Sequence, residues 1–161
     1  MKAEKRLRVL QRKLSRSQKG SKRREHVRLE IARLYEKIAN RREDFICKLA
    51  HTYAEGYDRI AVGKLNIKGM IASKGGYPSL PKRIQDAAWG QFHFRLQSQC
   101  EDHGKEFKQP EAAKTTMTCS RCGVEKEMPL HIRVYECSAC GLVMERTCNS
   151  ALNIKAKAFR E

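Results

Sequence analysis

Acidic residues are what this chain is short of. None lies between Glu4 and Glu25, and none between Asp58 and Asp86, so two long stretches have no carboxylate of their own to neutralise their cations. Apolar runs are short as well, and none approaches the roughly 18 to 20 residues a membrane span needs. The N-terminus lacks the apolar block of a signal peptide. These absences lead to the expectation of a soluble, cytoplasmic protein with no membrane partner. No internal repeat is present.

What is there is positive charge. The 161 residues carry 34 Lys and Arg against 18 Asp and Glu, a formal +16, and a field of that sign collects polyanions, nucleic acid first among them. With 40% hydrophobic residues the chain has material for one core and a small appendage. The seven cysteines are an odd number, and four of them stand in two C-x-x-C pairs. That pattern fits a bound metal in a reducing compartment better than a disulfide framework.

The charge is concentrated at the front, where the first 50 residues hold 17 of the Lys and Arg and 6 of the acids. Ala3, Leu7, Leu10 and Leu14 recur at helical spacing; Val27, Ile31, Leu34, Ile38, Phe45, Leu49 and Tyr53 resume the period after S-Q-K-G-S-K. This predicts a helical hairpin turning at Gly20. Its first 24 residues contain eleven basic residues and one acid. Lys5, Arg6, Arg12, Lys13, Arg16, Lys19, Lys22, Arg23 and Arg24 are therefore the candidate phosphate contacts. From residue 25 onward, ordinary pairs such as Arg28 with Glu25, or Arg33 with Glu30 and Glu36, account for the charge.

A strand is predicted over Ile60–Leu65, then a Gly/Pro/Ser-rich loop G-M-I-A-S-K-G-G-Y-P-S-L-P. A helix follows from Pro81 to about His103, with Ile84, Ala88, Phe92 and Leu96 on one face and Gly104 at its end. K-E-F-K-Q reads as a short strand, and a last helix is expected near residues 148 to 159. Trp89 and Phe92 read as core residues, and Tyr77 as a candidate for stacking on a base.

T-C-S-R-C-G and, fourteen residues beyond its second cysteine, E-C-S-A-C-G form two knuckles, each followed by glycine. Four thiolates so spaced suit tetrahedral zinc, so Cys119, Cys122, Cys137 and Cys140 are expected to build a zinc ribbon. A closed four-thiolate shell leaves no position for water, which makes the zinc structural. It would contribute on the order of 10 kcal/mol, enough that the segment from Thr115 to Val143 folds only with metal. His131 is an alternative ligand. Arg121, Lys126 and Arg133 give this module positive charge for nucleic acid, the alternative being a solvated face. Cys47, Cys100 and Cys148 are expected to be buried thiols.

The order of a basic helical hairpin, a strand ending in L-N-I-K-G-M, the helix A-A-W-G-Q-F, T-T-M-T-C-S-R-C-G, C-S-A-C-G-L and N-S-A-L-N-I resembles the C-terminal half of the TnpB (OrfB) proteins of insertion sequences. Those are similar in turn to the miniature RNA-guided CRISPR nucleases. The resemblance implies a mixed α+β or α/β chain: an incomplete RNase H-like (RuvC-type) sheet with a basic hairpin and an inserted zinc ribbon. Residues 1–54 would be the hairpin, 55–114 and 144–161 the partial RuvC-like domain, and 115–143 the ribbon that contacts target nucleic acid.

Such a nuclease anchors two divalent cations on carboxylates. In the family one acid comes from an early strand, expected here to lie before Met1. The second, in E-D-L-N, matches Gly63, with Lys64 at the neighbouring Asp. The last acid of D-R-D-x-N-A-A-x-N-I matches Thr147, and Glu145 matches that motif's first Asp. The resemblance therefore implies a chain that grips DNA and a guide-type RNA without cutting, with structural Zn2+ and no Mg2+. Two other readings stand beside it: a nuclease completed by a second chain or homodimer partner that supplies the missing strands, and a degenerate transposase fragment.

Overall fold

A computed structural model describes residues 2–72, 80–129 and 131–159. The chain divides into two compact units, Met1–Leu49 and Ala50–Glu161, and the division falls inside a helix.

The first unit is the hairpin. Helix α1 (Lys2–Arg16) and helix α2 (Lys22–Gly56) are joined by a turn with Gly20 at φ +81°, a left-handed conformation that glycine adopts without steric cost. Ser21 caps α2, its Oγ accepting the Arg24 N–H at 3.2 Å. Arg24 then reaches back to the end of α1, donating from Nη1 to the carbonyls of Leu14 at 2.6 Å and Ser17 at 3.1 Å. It thereby satisfies carbonyls that a helix C-terminus leaves unpaired. Leu10 and Val27 are buried, while Leu7, Leu14, Ile31, Leu34 and Ile38 are half-buried.

The apolar stripe of α2 departs from expectation after Ile38. Phe45 is 64% exposed and Tyr53 is also exposed, whereas Ile46, Ala50 and Ala54 are buried. Small side chains allow the close approach of other elements, so the helix face that matters here is marked by alanine and carries little hydrophobic weight in the sequence.

In the second unit, Ala50, Ala54, Leu96 and Cys100 form a core, with Phe92, Ile60, Val62 and Phe107 packed against it. Strand β1 (Arg59–Ala61) pairs in parallel with β2 (Glu106–Lys108), Ile60 opposite Phe107. β1 is shorter than the expected Ile60–Leu65, although Val62 and Lys64 still donate to the carbonyls of Lys108 and Pro110. Helix α3 (Ile67–Ala72) occupies part of the expected loop, capped by Asn66, whose Oδ1 accepts the Gly69 N–H at 2.9 Å. Tyr77 lies outside the described residues.

The single helix expected from Pro81 to His103 is two: α4 (Leu80–Ala87) and α5 (Trp89–Asp102). Ala88 stands between them in the left-handed region, at φ 50° and ψ 35°, a conformation that costs a non-glycine residue roughly 1–2 kcal/mol. The apolar face survives the break, since Ile84 and Leu96 are both buried. Trp89 and Phe92 are half-buried. Gly104, at φ +65°, ends α5 as expected.

An antiparallel pair, β3 (Val134–Glu136) and β4 (Val143–Glu145), precedes helix α6 (Arg146–Ala158), which packs on β1, β3 and β4. Cys119, Tyr135, Cys137 and Leu142 form a second buried cluster. Of the remaining cysteines Cys100 is buried and Cys47 half-buried. Cys148 is exposed, contrary to expectation, because it lies in the first turn of α6 with its Sγ 3.9 Å from Glu145 Oε2. Among the described residues no helix is long and apolar enough to cross a membrane.

Candidate metal centre and nucleic-acid surface

The two cysteine pairs fold alike. In the first, Cys119 N–H donates to Val124 and Gly123 N–H donates back to Cys119 at 3.0 Å; in the second, Cys137 N–H donates to Leu142 and Gly141 N–H to Cys137 at 2.9 Å. Gly123 (φ +77°) and Gly141 (φ +70°) make these reversals in the left-handed region. All four sulfurs come within 4.8 Å of one another, with Cys119 and Cys140 at 3.6 Å and Cys122 and Cys137 at 3.5 Å. That donor set can hold a metal ion such as zinc. His131 is exposed and is not a member of the group.

The thiols are poised unequally. Burial opposes ionisation of Cys119, but the N–H groups of Cys122 and Arg121 and the thiols of Cys122 and Cys140 outweigh it and hold its pKa down to about 6. Cys122 is pushed up to about 12: the Val124 N–H favours its thiolate, but burial and the Cys137, Cys119 and Cys140 sulfurs outweigh that bond. Cys137 is lowered, chiefly by the Cys140 N–H, and Cys140 is raised, burial and the Cys119 and Cys137 sulfurs overcoming the Leu142 N–H. Four like charges cannot share this volume unaided, so the group can hold a cation.

The candidate phosphate contacts sort into two kinds. Lys5, Arg6, Arg12, Lys13, Arg16, Lys19, Lys22 and Arg23 are all exposed on the hairpin. Arg24 is half-buried, and its Nη1 donates to the Leu14 and Ser17 carbonyls. Near the cysteines Arg133 is exposed and Arg121 leans on the Cys140 carbonyl at 3.5 Å. Lys126 is half-buried, bonded to the Glu136 carbonyl and 5.1 Å from the centre of the Tyr135 ring. It too holds the fold together.

The positions matched to family acids are equally specific. Gly63 is buried, and a Cβ built there would stand 2.9 Å from Ala112 Cβ and 3.1 Å from Ile154 Cδ1. Lys64 Nζ pairs with Glu111 at 2.8 Å, and Thr147 Oγ1 donates to Glu145 Oε1 at 2.6 Å. A groove of about 910 Å³ beside β1 is lined by Tyr53, Tyr57, Ile60, Ala61, Ala151 and Phe159 among others. Sequence reasoning missed Asn149, which is fully buried against the first knuckle. The signal available was N-S-A-L-N, two amides four residues apart on one helix face.

A family model described as a probable transposase, OrfB_IS605, matches residues 1–74. The model of the Cas12f1-like TNB domain matches residues 89–154. A Streptomyces pristinaespiralis protein provisionally named an RNA-guided DNA endonuclease is 33% identical over 153 residues, covering 94% of this chain and 37% of its own. TnpB-like protein L79 of Acanthamoeba polyphaga mimivirus is 28% identical over 137 residues, 84% of this chain and 26% of that protein. The chain therefore spans well under half the length of these relatives. Among solved structures, a Cas12f1–sgRNA–target DNA complex aligns with TM-score 0.64 and 20% identity over 95% of this chain and 39% of that one. A CRISPR-Cas12f ternary complex aligns with TM-score 0.69 and 22% identity over 95% and 31%; at these identities the likeness is one of fold. Two family models on successive parts of the chain and TnpB-like relatives along most of its length agree, and the chain is similar to the TnpB/OrfB proteins from its hairpin to its last helix.

Proposed function

We propose that this chain is a nucleic-acid-binding protein of the TnpB/OrfB family that holds a structural zinc and has no nuclease activity of its own. Residues 115–143 form the zinc ribbon, with Cys119, Cys122, Cys137 and Cys140 as ligands. Residues 55–114 and 144–161 form a partial RuvC-like domain, and residues 1–54 a basic hairpin. DNA and a guide-type RNA are the partners. The exposed hairpin cations Lys5, Arg6, Arg12, Lys13, Arg16, Lys19, Lys22 and Arg23 neutralise phosphates, and Arg121 and Arg133 extend the surface onto the ribbon. In RNA-guided recognition base pairing reads sequence while protein grips the backbone, so binding survives the loss of cutting.

The observation that carries this reading is the closure at Gly63. A catalytic cation needs a carboxylate there; instead Ala112 and Ile154 fill the space a side chain would need, and Lys64 adds a positive charge already paired with Glu111. Purified protein incubated with magnesium or manganese and single-stranded or duplex DNA is expected to bind and not to cleave. Robust cutting that disappears in Glu145→Ala would overturn it.

A second reading has a partner chain completing the sheet and supplying ligands. Among the described residues the β1–β2 sheet has two strands, a number that is marginal alone, and the aromatic-lined groove runs beside β1. Light scattering and co-purification from the native host distinguish a homodimer or a second polypeptide from a monomer.

A further inference from the structure

The metal site does not rest on its two knuckles alone. Asn149, in the first turn of α6, is fully buried, and its amide straddles the first ligand. Nδ2 donates to the Thr118 carbonyl at 2.7 Å and Oδ1 accepts the Ser120 N–H at 2.9 Å. The residues before and after Cys119 are thus tied to one side chain. One turn further on, Asn153 Nδ2 donates to the carbonyls of Thr115 at 2.9 Å and Thr118 at 2.7 Å. Ser150 Oγ donates to Thr115 Oγ1 at 2.9 Å.

A primary amide is suited to this because it carries a donor and an acceptor in one plane. A carboxylate at residue 149 would offer no donor to Thr118, and an aliphatic side chain neither bond. The same helix packs on β1, where Ile154 closes over Gly63. One face of α6 therefore grips the knuckle while another covers the sheet.

We propose that Asn149 is a positioning residue for the metal centre, and that metal occupancy and the docking of α6 are one coupled equilibrium. This rests on the zinc reading of the four cysteines. Without the cation the four sulfurs lose the ion that ties both knuckles together, and the first knuckle loosens. Thr118 and Ser120 then leave the Asn149 amide buried without partners, a state relieved only by undocking the helix. Linkage makes the effect reciprocal: whatever weakens the latch weakens metal binding by the same factor.

The test uses the full chain. Cobalt(II) titration reads the thiolate charge-transfer and tetrahedral d–d bands, competition with a chromophoric chelator gives zinc affinity, and hydrogen exchange reads α6 with zinc bound or removed. Asn149→Leu, which keeps most of the volume and removes both bonds, is expected to weaken zinc by about 10- to 100-fold and to shift the cobalt d–d bands. Leu152→Ala, on the exposed side of the same helix, leaves both unchanged. Wild-type protein loses exchange protection along α6 when zinc is removed, a readout that does not depend on the variant folding.

Wild-type zinc affinity in Asn149→Leu, or α6 protection indifferent to zinc, overturns the inference while leaving the zinc site standing. Absence of thiolate bands in the wild type sinks the zinc reading and this inference with it.

Discussion

Lys64 Nζ sits 2.8 Å from the Glu111 carboxylate, across a parallel bridge that continues the β1–β2 pairing past the end of β1. At the strand end where the resemblance implies a catalytic carboxylate, the local acid is paired with a lysine, with both side chains well exposed. The pair is worth little to stability in that setting; its importance is to the charge of the site.

The neighbouring closure predicts the cost of putting an acid back. Gly63→Glu must push its Cβ into Ala112 and Ile154, and overpacking of this kind costs about 1–3 kcal/mol. Urea denaturation should report that loss. Gly63→Glu combined with Thr147→Asp is expected to remain inactive towards DNA in magnesium; cleavage by the double variant would contradict the proposed closure.

The hairpin predicts a division among its arginines. Replacing Arg12 or Arg23 by alanine should reduce the slope of log K against log salt for DNA or RNA by about 0.7 to 0.9 for each phosphate no longer neutralised, with thermal stability nearly unchanged. Arg24→Ala should do the reverse. It leaves the Leu14 and Ser17 carbonyls without their charged donor, which costs about 1.5–3 kcal/mol, and barely alters the salt slope.

Removal of zinc by a strong chelator should unfold residues 115–143 while the hairpin keeps its helical circular dichroism. Cys122→Ser or Cys137→Ser should produce the same change without chelator. Retention of the β3–β4 amide signals after metal removal would show that hydrophobic burial of Tyr135 and Leu142 suffices without the ion.

His93 supplies a pH dependence. Burial lowers its pKa below the usual 6.5, and the ring nitrogen Nδ1 lies 2.9 Å from Gln109 Nε2, an amide donor that suits the neutral ring. The folded state thus binds its proton less readily than the unfolded one. The stability this gives is fully present above about pH 6.5 and is lost as pH falls through the depressed folded value. Thermal melts of wild type and His93→Gln, both zinc-loaded, should diverge between about pH 7.5 and pH 5.5, the wild type falling further. Parallel curves would remove His93 from the account.

The elements that could be read in advance were those whose signal is local. Gly20, Gly104, Gly123 and Gly141 mark reversals that require positive φ, and the two C-x-x-C-G strings bring their sulfurs together as the spacing requires. The pairing of Arg28 with Glu25 likewise follows from the sequence, at 2.9 Å. The failures have a common cause as well. Phe45 and Tyr53 have far larger side chains to bury than Ala50 and Ala54, yet the alanines are buried, because what a packed helix face needs is a shape set by its neighbours. Ala88 has no turn chemistry in its side chain, so nothing local announces the break between α4 and α5. Arg24 and Lys126 look like their free neighbours until the carbonyls they serve are located.

The sequence by itself determined the charge, the helical hairpin, the cysteine quartet and the family resemblance, since each depends on residue type and spacing along one stretch of chain. Only the tertiary structure decided that Arg24 and Lys126 bond to backbone carbonyls, that Gly63 is closed by Ala112 and Ile154, and that Asn149 holds both sides of Cys119. The last two facts depend on groups some 30 to 90 residues apart meeting within a few ångströms, and contact at that range is fixed by packing, which periodicity and composition do not encode.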